Sequence, residues 1–439
     1  MSQGGGSDGR IAPPAPSLGR SLLASPLTPV FVGILLRAIL VAQAPFTPSG
    51  GDADAYLYVG RHLRETGAIP AERGLPAVMP PLYPILIALT GMTGDRAGVL
   101  LLKLLNIASG AVAIAWTGRL GLILWGRRTG HIAAWLTALH PMLLLYARDV
   151  STESLFLPLL LGGLLLLQRI VRELRFRRAV AFGVVLGLGA LLRPACLPGG
   201  AAGLLVALMA RSNARWRRRA AIACTAGLAT LAILAPWSAY LTATFHEPML
   251  LTDTGGFNFW DGHHPLNFRI AQERDQARRD ALAATKDAER RAIVAACAAE
   301  GCTRGERSER FRRDAWARMD EGGASFAWHS AANFWGVWKA WPDPVAHSRA
   351  LSVALGAFLV PLTLLGIGGA GIAVRRRRTR PLALASIAGL LALTAAAVWY
   401  VGTFRYRFGH VDPVLMVFAP GPLVWLRRFR SSRSHPTPV

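Results

Sequence analysis

Two carboxylates stand where the chain first turns polar. Residues 50–84, GGDADAYLYVGRHLRETGAIPAERGLPAVMPPLYP, follow the first long apolar run and carry Asp52 and Asp54. A carboxylate at such a boundary can take a proton from a hydroxyl nucleophile, which is general-base chemistry. Asp52 and Tyr56 share one face of a helix, whereas Asp54 lies about 200° round from Asp52. The simpler role for Asp52 is to cap a helix that starts at Ala53. Tyr83 sits in the stiff re-entry motif Met79-Pro80-Pro81-Leu82-Tyr83-Pro84 and is a candidate substrate contact, as are Asp54 and Tyr56.

Glu153 is the second acid, in Ser151-Thr152-Glu153-Ser154 at the head of an apolar run. An ionisable group at the edge of an apolar helix is a functional candidate. The alternative is a first-turn acid favoured by the helix dipole, capped by Ser151 or Thr152. Asp149 is close enough to take the same role. Arg405 and Arg407 lie in Phe404-Arg405-Tyr406-Arg407-Phe408-Gly409-His410, a short segment between apolar runs. A fork of guanidinium donors there suits a phosphate, and snorkelling beside the aromatics is the alternative. Arg193, before Pro194, has a similar position. Arg37 falls inside an apolar run, where it is costly unless paired.

Asn258, His263 and His264 belong to a Gly/aromatic stretch, Gly255-Gly256-Phe257-Asn258-Phe259-Trp260-Asp261-Gly262-His263-His264-Pro265. Substrate contact is the expectation for all three. Adjacent histidines seldom bind one ion, and no spaced ligand set is visible, so no metal ligands are assigned. No cofactor is implied with certainty, and a divalent metal stays open.

These groups need a frame, and the composition supplies it. Of 439 residues, 52% are hydrophobic and 17% charged, with a net charge of +24. The charge does not point to nucleic acid, because the arginines cluster in short segments between apolar runs, as in the cytoplasmic loops of a membrane protein. A run of about 20 apolar residues spans the bilayer. The pattern predicts an all-α polytopic protein with about ten spans: Pro26–Ala44, Arg96–Trp125, His131–Ala147, Thr152–Gln168, Ala179–Leu192, Leu197–Ala210, Ala220–Ala243, Ala350–Val374, Pro381–Val401 and Val411–Leu426. Leu82–Met92 is too short to span and reads as an interfacial helix.

With the N-terminus in the cytoplasm, every dense basic cluster falls on one side. Residues 1–25 then form a disordered cytoplasmic segment, 26–243 a catalytic membrane module with its first outer loop at 45–95, and 244–349 an extracytoplasmic loop. Residues 350–426 form the last spans, and 427–439 a basic cytoplasmic tail. Cys297 and Cys302 share the large loop and suit either a small disulfide or two thiols. The localisation expected is the cell inner (plasma) membrane, with the site facing outward.

The order of these motifs resembles one family. Asp-x-x-x-Tyr follows the first span, then Pro-Pro-x-Tyr-Pro, Thr-Glu-Ser-Leu-Phe, Leu-Leu-Arg-Pro, Ala-Pro-Trp, the Gly/aromatic stretch, and Arg-Tyr-Arg before the last span. Over residues 26–426 this resembles the bacterial glycosyltransferases of the C superfamily, the protein-mannosyltransferase-like group that uses polyprenyl-phosphate sugars. The resemblance implies an inverting transfer from a lipid-phosphate sugar to a glycan, lipid or protein hydroxyl, with Asp52 as base, Glu153 as second acid and the outer arginines on the phosphate. Aminoarabinose-transferring relatives carry a lysine just before the re-entry Pro, where this chain has Met79, which leaves the sugar open. The competing expectation is a transporter or flippase, which favours paired half-repeats, and no internal symmetry is visible.

Overall fold

In the computed structural model the described residues are 25–49, 52–70, 79–210, 215–321, 323–341 and 349–426. The cytoplasmic segments expected at the two ends therefore lie outside them, save for Ser25. All regular structure among the described residues is helical. Helix α1 (Thr28–Ala42) leads into α2 (Ala53–Thr66) and α3 (Leu82–Thr90), a short pair packed on each other beside the bundle. The bundle continues with α4 (Arg96–Trp125), α5 (Arg127–Ala138), α6 (Pro141–Leu145), α7 (Glu153–Arg172), α8 (Phe176–Leu192), α9 (Cys196–Met209) and α10 (Trp216–Phe245).

A polar module follows: α11 (Thr254–His263), α12 (Leu266–Gln272), α13 (Gln276–Glu300), α14 (Arg304–Arg318) and α15 (Phe326–Trp338). The chain returns to the bundle with α16 (Arg349–Arg375), α17 (Arg380–Trp399), a single turn α18 (Phe404–Tyr406), a π-helical turn over Arg407–Val411, and α19 (Asp412–Phe418).

The chain is a polytopic membrane protein. Among the described residues, α4, α7, α10, α16 and α17 are long and apolar enough to cross a membrane. The other expected spans are shorter helices. Thr28–Ala42 has 15 residues, or about 22 Å at 1.5 Å per residue, against about 30 Å of hydrocarbon. The span expected at His131–Ala147 is broken, because Pro141 has no N–H to continue the ladder and His140 before it is extended.

Packing inside the bundle relies on small residues. Gly199 and Gly203 of α9 face Gly389 and Ala385 of α17, and a Cβ on Gly199 would stand 3.0 Å from the Gly389 carbonyl oxygen. Close backbone approach of this kind is how apolar helices gain dispersion contact without a hydrophobic driving force. Buried cations are satisfied by carbonyls. Arg37 donates to Gly33 O at 3.0 Å, Ala138 O at 3.4 Å and Thr137 O at 3.5 Å. Lys103 Nζ donates to Ala44 O at 2.5 Å and Thr47 O at 2.8 Å, closing the end of α1.

The polar module has its own core of Phe259, Trp260, Phe311, Ala315 and Met319. Asp275 caps α13 through the Arg278 N–H, and Thr303 with Glu306 forms a capping box on α14. Glu247 accepts from the Arg304 and Gly305 N–H groups at 2.7 Å each, a carboxylate placed on a helix N-terminus. Cys297 and Cys302 are free thiols. The Cys302 N–H donates to Cys297 O at 2.9 Å across left-handed Gly301, so the helix cap itself brings the two side chains together.

Candidate active site

Four segments far apart in sequence converge at one end of the bundle. They are the start of α2, the start of α7, the turn between α8 and α9, and α18. Asp52 stands at the N-cap position of α2 but makes no capping hydrogen bond. Its carboxylate is turned instead to Arg405, whose Nη1 reaches Asp52 Oδ2 at 2.7 Å. The rest of the Arg405 fork closes on Glu153 Oε1, Nε at 2.7 Å and Nη2 at 2.6 Å. Arg193 Nη1 comes to the same oxygen at 2.9 Å and to Thr152 Oγ1 at 3.3 Å. Neither Ser151 nor Thr152 caps α7 by a side-chain bond from the N-cap position.

The arrangement is electrostatically closed, with two guanidiniums and two carboxylates. Burial works against charge on Arg405, but Glu153 and Asp52 raise its pKa above the ordinary value. Burial likewise opposes charge on Arg193, and Glu153 reverses the effect, raising it too. Glu153 is buried, and its Oε2 has no hydrogen-bond partner. An unmet carboxylate oxygen beside two arginines marks a place where a further donor group belongs. Asp52 is the open side of the cluster, its side chain 41% exposed, so water and solutes reach it.

Tyr56 and Tyr83 wall the site, packed edge to face with ring centroids 5.1 Å apart. Burial chiefly, with the Asp52 charge, pushes the Tyr56 hydroxyl up to about 12, so it stays protonated. Burial also raises Tyr83. Asp149 accepts from Ser49 Oγ at 3.1 Å, and its carbonyl accepts from Asn106 Nδ2 at 2.7 Å. Burial raises its pKa. It braces the turn before Glu153 rather than joining the ionic cluster. Asp54 is exposed on the other side of α2.

The structure separates the two arginines that the sequence paired. The Arg407 guanidinium is fully buried and ion-paired with Asp412, Nη2 to Oδ1 at 3.0 Å. It also donates to Trp338 O at 2.7 Å and Thr363 Oγ1 at 2.5 Å. His140 Nε2 lies 3.1 Å from Asp412 Oδ2 and completes that knot. The expectation that Arg407 lines the site with Arg405 is thereby corrected: its donors are spent on Asp412, on the end of α15 and on α16.

The polar module contributes differently from expectation as well. His263 is stacked between Phe259 and Phe326, at 4.4 and 5.3 Å, and its Nδ1 is 3.0 Å from Phe259 O. His264 lies 3.0 Å from Glu289 Oε2 through Nε2 and accepts from the Leu266 N–H. Burial and the Lys286 charge push His264 down to about 4, so the neutral ring donates to Glu289. Both histidines are fully buried, so neither side chain is open to a substrate in this structure, contrary to expectation: they hold the module together. Asn258 is half-buried on α11. Among the described residues no three His, Cys, Asp or Glu side chains gather as a metal-ligand set.

Below the cluster lies an apolar cavity between α7, α8, α9 and α17, lined by residues such as Leu160, Leu164, Leu186, Gly200 and Leu393. Phe156, one turn after Glu153, and His410 also line it. The sequence offered Thr152 only as a helix cap and did not single out His410, whose position three residues after Arg407 could have drawn notice.

A family model described as dolichyl-phosphate-mannose-protein mannosyltransferase matches residues 78–240, somewhat over a third of the chain. That stretch includes Tyr83, Asp149, Glu153 and Arg193, but not Asp52 or Arg405. Two solved structures of Archaeoglobus fulgidus oligosaccharyltransferases, the first of them AglB, superpose on nearly the whole chain. The form in complex with an inhibitory peptide and a dolichol-phosphate has a TM-score of 0.51 at 15% identity, covering 95% of this chain and 52% of that one. The form in complex with Zn and sulfate gives 0.53 at 15%, covering 94% and 50%. The fold is of the glycosyltransferase-C type. The chain spans about half the length of those archaeal structures. ArnT from Cupriavidus metallidurans bound to undecaprenyl phosphate gives 0.41 at 16%, covering 88% and 77%. No curated protein sequence matches the chain significantly.

Proposed function

We propose that this protein is an inverting membrane glycosyltransferase. It moves a sugar from a polyprenyl-phosphate donor to an acceptor hydroxyl at the extracytoplasmic face, and the chain crosses the membrane about ten times. The observation that carries the reading is Arg405 bridging Asp52 and Glu153, with an apolar cavity lined by Phe156, one turn after Glu153. A prenyl chain suits the cavity, and a phosphate suits the arginines. The partial match to the mannosyltransferase family model and the dolichol-phosphate bound by the archaeal enzyme support the same donor class.

The chemistry follows from the charges. The acceptor oxygen attacks the anomeric carbon as the bond from that carbon to the phosphate oxygen breaks, with inversion. The acceptor proton passes to Asp52. The lipid phosphate leaves with one more negative charge, and Arg405 and Arg193 offset it inside a partly dry site. In the resting protein Asp52 is tied to Arg405. A phosphate that draws Arg405 toward itself releases the Asp52 carboxylate to act as base, so donor binding precedes acceptor activation. Glu153 keeps both arginines charged and oriented.

The test is sugar transfer from a polyprenyl-phosphate donor by purified protein. Asp52→Asn keeps the shape but cannot take the proton, and turnover should fall by roughly 10²–10⁴ with an unchanged melting temperature. Asp54→Asn should transfer normally. Full activity in the Asp52 variant removes the base from the mechanism.

A further inference from the structure

His410 is a buried imidazole without a hydrogen bond. It is 3% exposed, and neither Nδ1 nor Nε2 has a partner. The Tyr406 carbonyl acts on the ring as a weak acceptor, but outside ordinary hydrogen-bond geometry. A buried polar group left unmet is expensive and rare, and it points to a ligand that completes it. The residue is presented by the π-helical turn Arg407–Val411. Such turns are uncommon and concentrate at functional sites.

The ring's surroundings say which ligand. It lines the apolar cavity, with its ring 4.6 Å from Phe156. Tyr406 is also beside it, ring to ring at 5.8 Å, and the Arg193 guanidinium lies over that same tyrosine ring at 5.5 Å. Arg193 and Glu153 are the charged groups whose fields reach His410. The imidazole therefore stands at the seam between a hydrocarbon-lined space and a cluster of arginines. In an amphiphile lying across that seam, the atoms at this height are those joining lipid to phosphate.

We propose that His410 is a donor-binding residue, giving a hydrogen bond from its neutral ring to an oxygen of the lipid-linked phosphate. This rests on the function proposed above. The bond strengthens as the phosphate gains charge on leaving, so His410 acts on turnover as well as on donor affinity. No proton is transferred, since the ring stays neutral while Arg193 and Arg405 carry the positive charge.

The experiment compares binding of undecaprenyl phosphate and of the uncharged undecaprenol to the full-length protein in detergent. The wild type should prefer the phosphate. His410→Phe keeps a flat ring against Phe156 but has no N–H, and phosphate binding should weaken roughly ten- to hundredfold. Undecaprenol binding should hold steady. His410→Gln, which restores an N–H donor, should recover much of the preference. If His410→Phe does not fold, His410→Leu is measured in its place.

Equal loss for phosphate and alcohol would make His410 a packing residue and overturn the proposal. Unchanged phosphate binding would also overturn it, and so would a wild type without preference. The transfer assay separates the two readings. Wild-type transfer with an intact preference in His410→Phe sinks only the His410 assignment. A lost preference in a protein that transfers no sugar sinks only the glycosyltransferase.

Discussion

At the scale of single residues the site turns on which groups are free to change partner. Arg405 serves two carboxylates at once, and only a planar fork can do so at 2.6–2.7 Å. Arg405→Ala should raise the donor KM and lower turnover more than tenfold in the transfer assay. Arg405→Lys should rescue in part, because an ammonium is one point of charge. Arg407→Ala should behave differently. It leaves buried Asp412 with His140 alone, and breaking a buried pair costs about 3–5 kcal/mol. A lowered melting temperature, with donor KM unchanged in the protein that remains folded, is the expected outcome. A raised donor KM at wild-type stability would return Arg407 to the site.

At the scale of elements, close backbone approach decides how the polar module sits on the bundle. A Cβ on Gly262 would run into the Tyr400 carbonyl oxygen, and inside the module one on Gly256 would run into that of Ser308. Gly262→Ala must therefore push α11 off the end of α17. Overpacking of this kind costs about 1–3 kcal/mol. Limited proteolysis should cut within 264–321 faster than in the wild type, and the melting temperature should fall. Wild-type cleavage rates would mean that the Tyr400 segment yields easily. The histidine pair expected to bind substrate is buried by this same packing. Two adjacent histidines look like a site in a sequence, but here one is a stacking ring and the other a strut to Glu289. Sequence proximity says nothing about which face of a short helix is buried.

At the scale of the molecule, the arginine clusters and the site occupy opposite ends of the long helices. The basic turn after α16 should then be cytoplasmic and the polar module outside. In a variant with its native cysteines replaced, Arg377→Cys and Ala284→Cys place single thiols at exposed positions on the two sides. An impermeant maleimide on intact cells should label Ala284→Cys and spare Arg377→Cys until the membrane is opened. Labelling of both from the same side would overturn the topology.

The apolar runs and the one-sided arginines are properties of the chain alone. They determine which loops share a face, because crossing hydrocarbon and keeping basic clusters on one side are one-dimensional constraints. Asp52, Glu153, Arg193 and Arg405, with Arg407 and the histidine pair, could therefore be placed on one face before any coordinates. Which partner each one takes was not. Asp52 has the sequence of a helix cap, yet Arg405, 353 positions away, competes for its carboxylate and wins. The split between Arg405 and Arg407 depends on helix phase. Each residue of helix turns the next side chain by about 100°, and a π-helical turn shifts that phase again. The phase there is fixed by the buried knot of Arg407, Asp412, His140 and Thr363. Those residues meet only when α6, α16 and α19 are packed, so no local pattern could have placed Arg405 on the carboxylates, Arg407 in the core and His410 over the cavity.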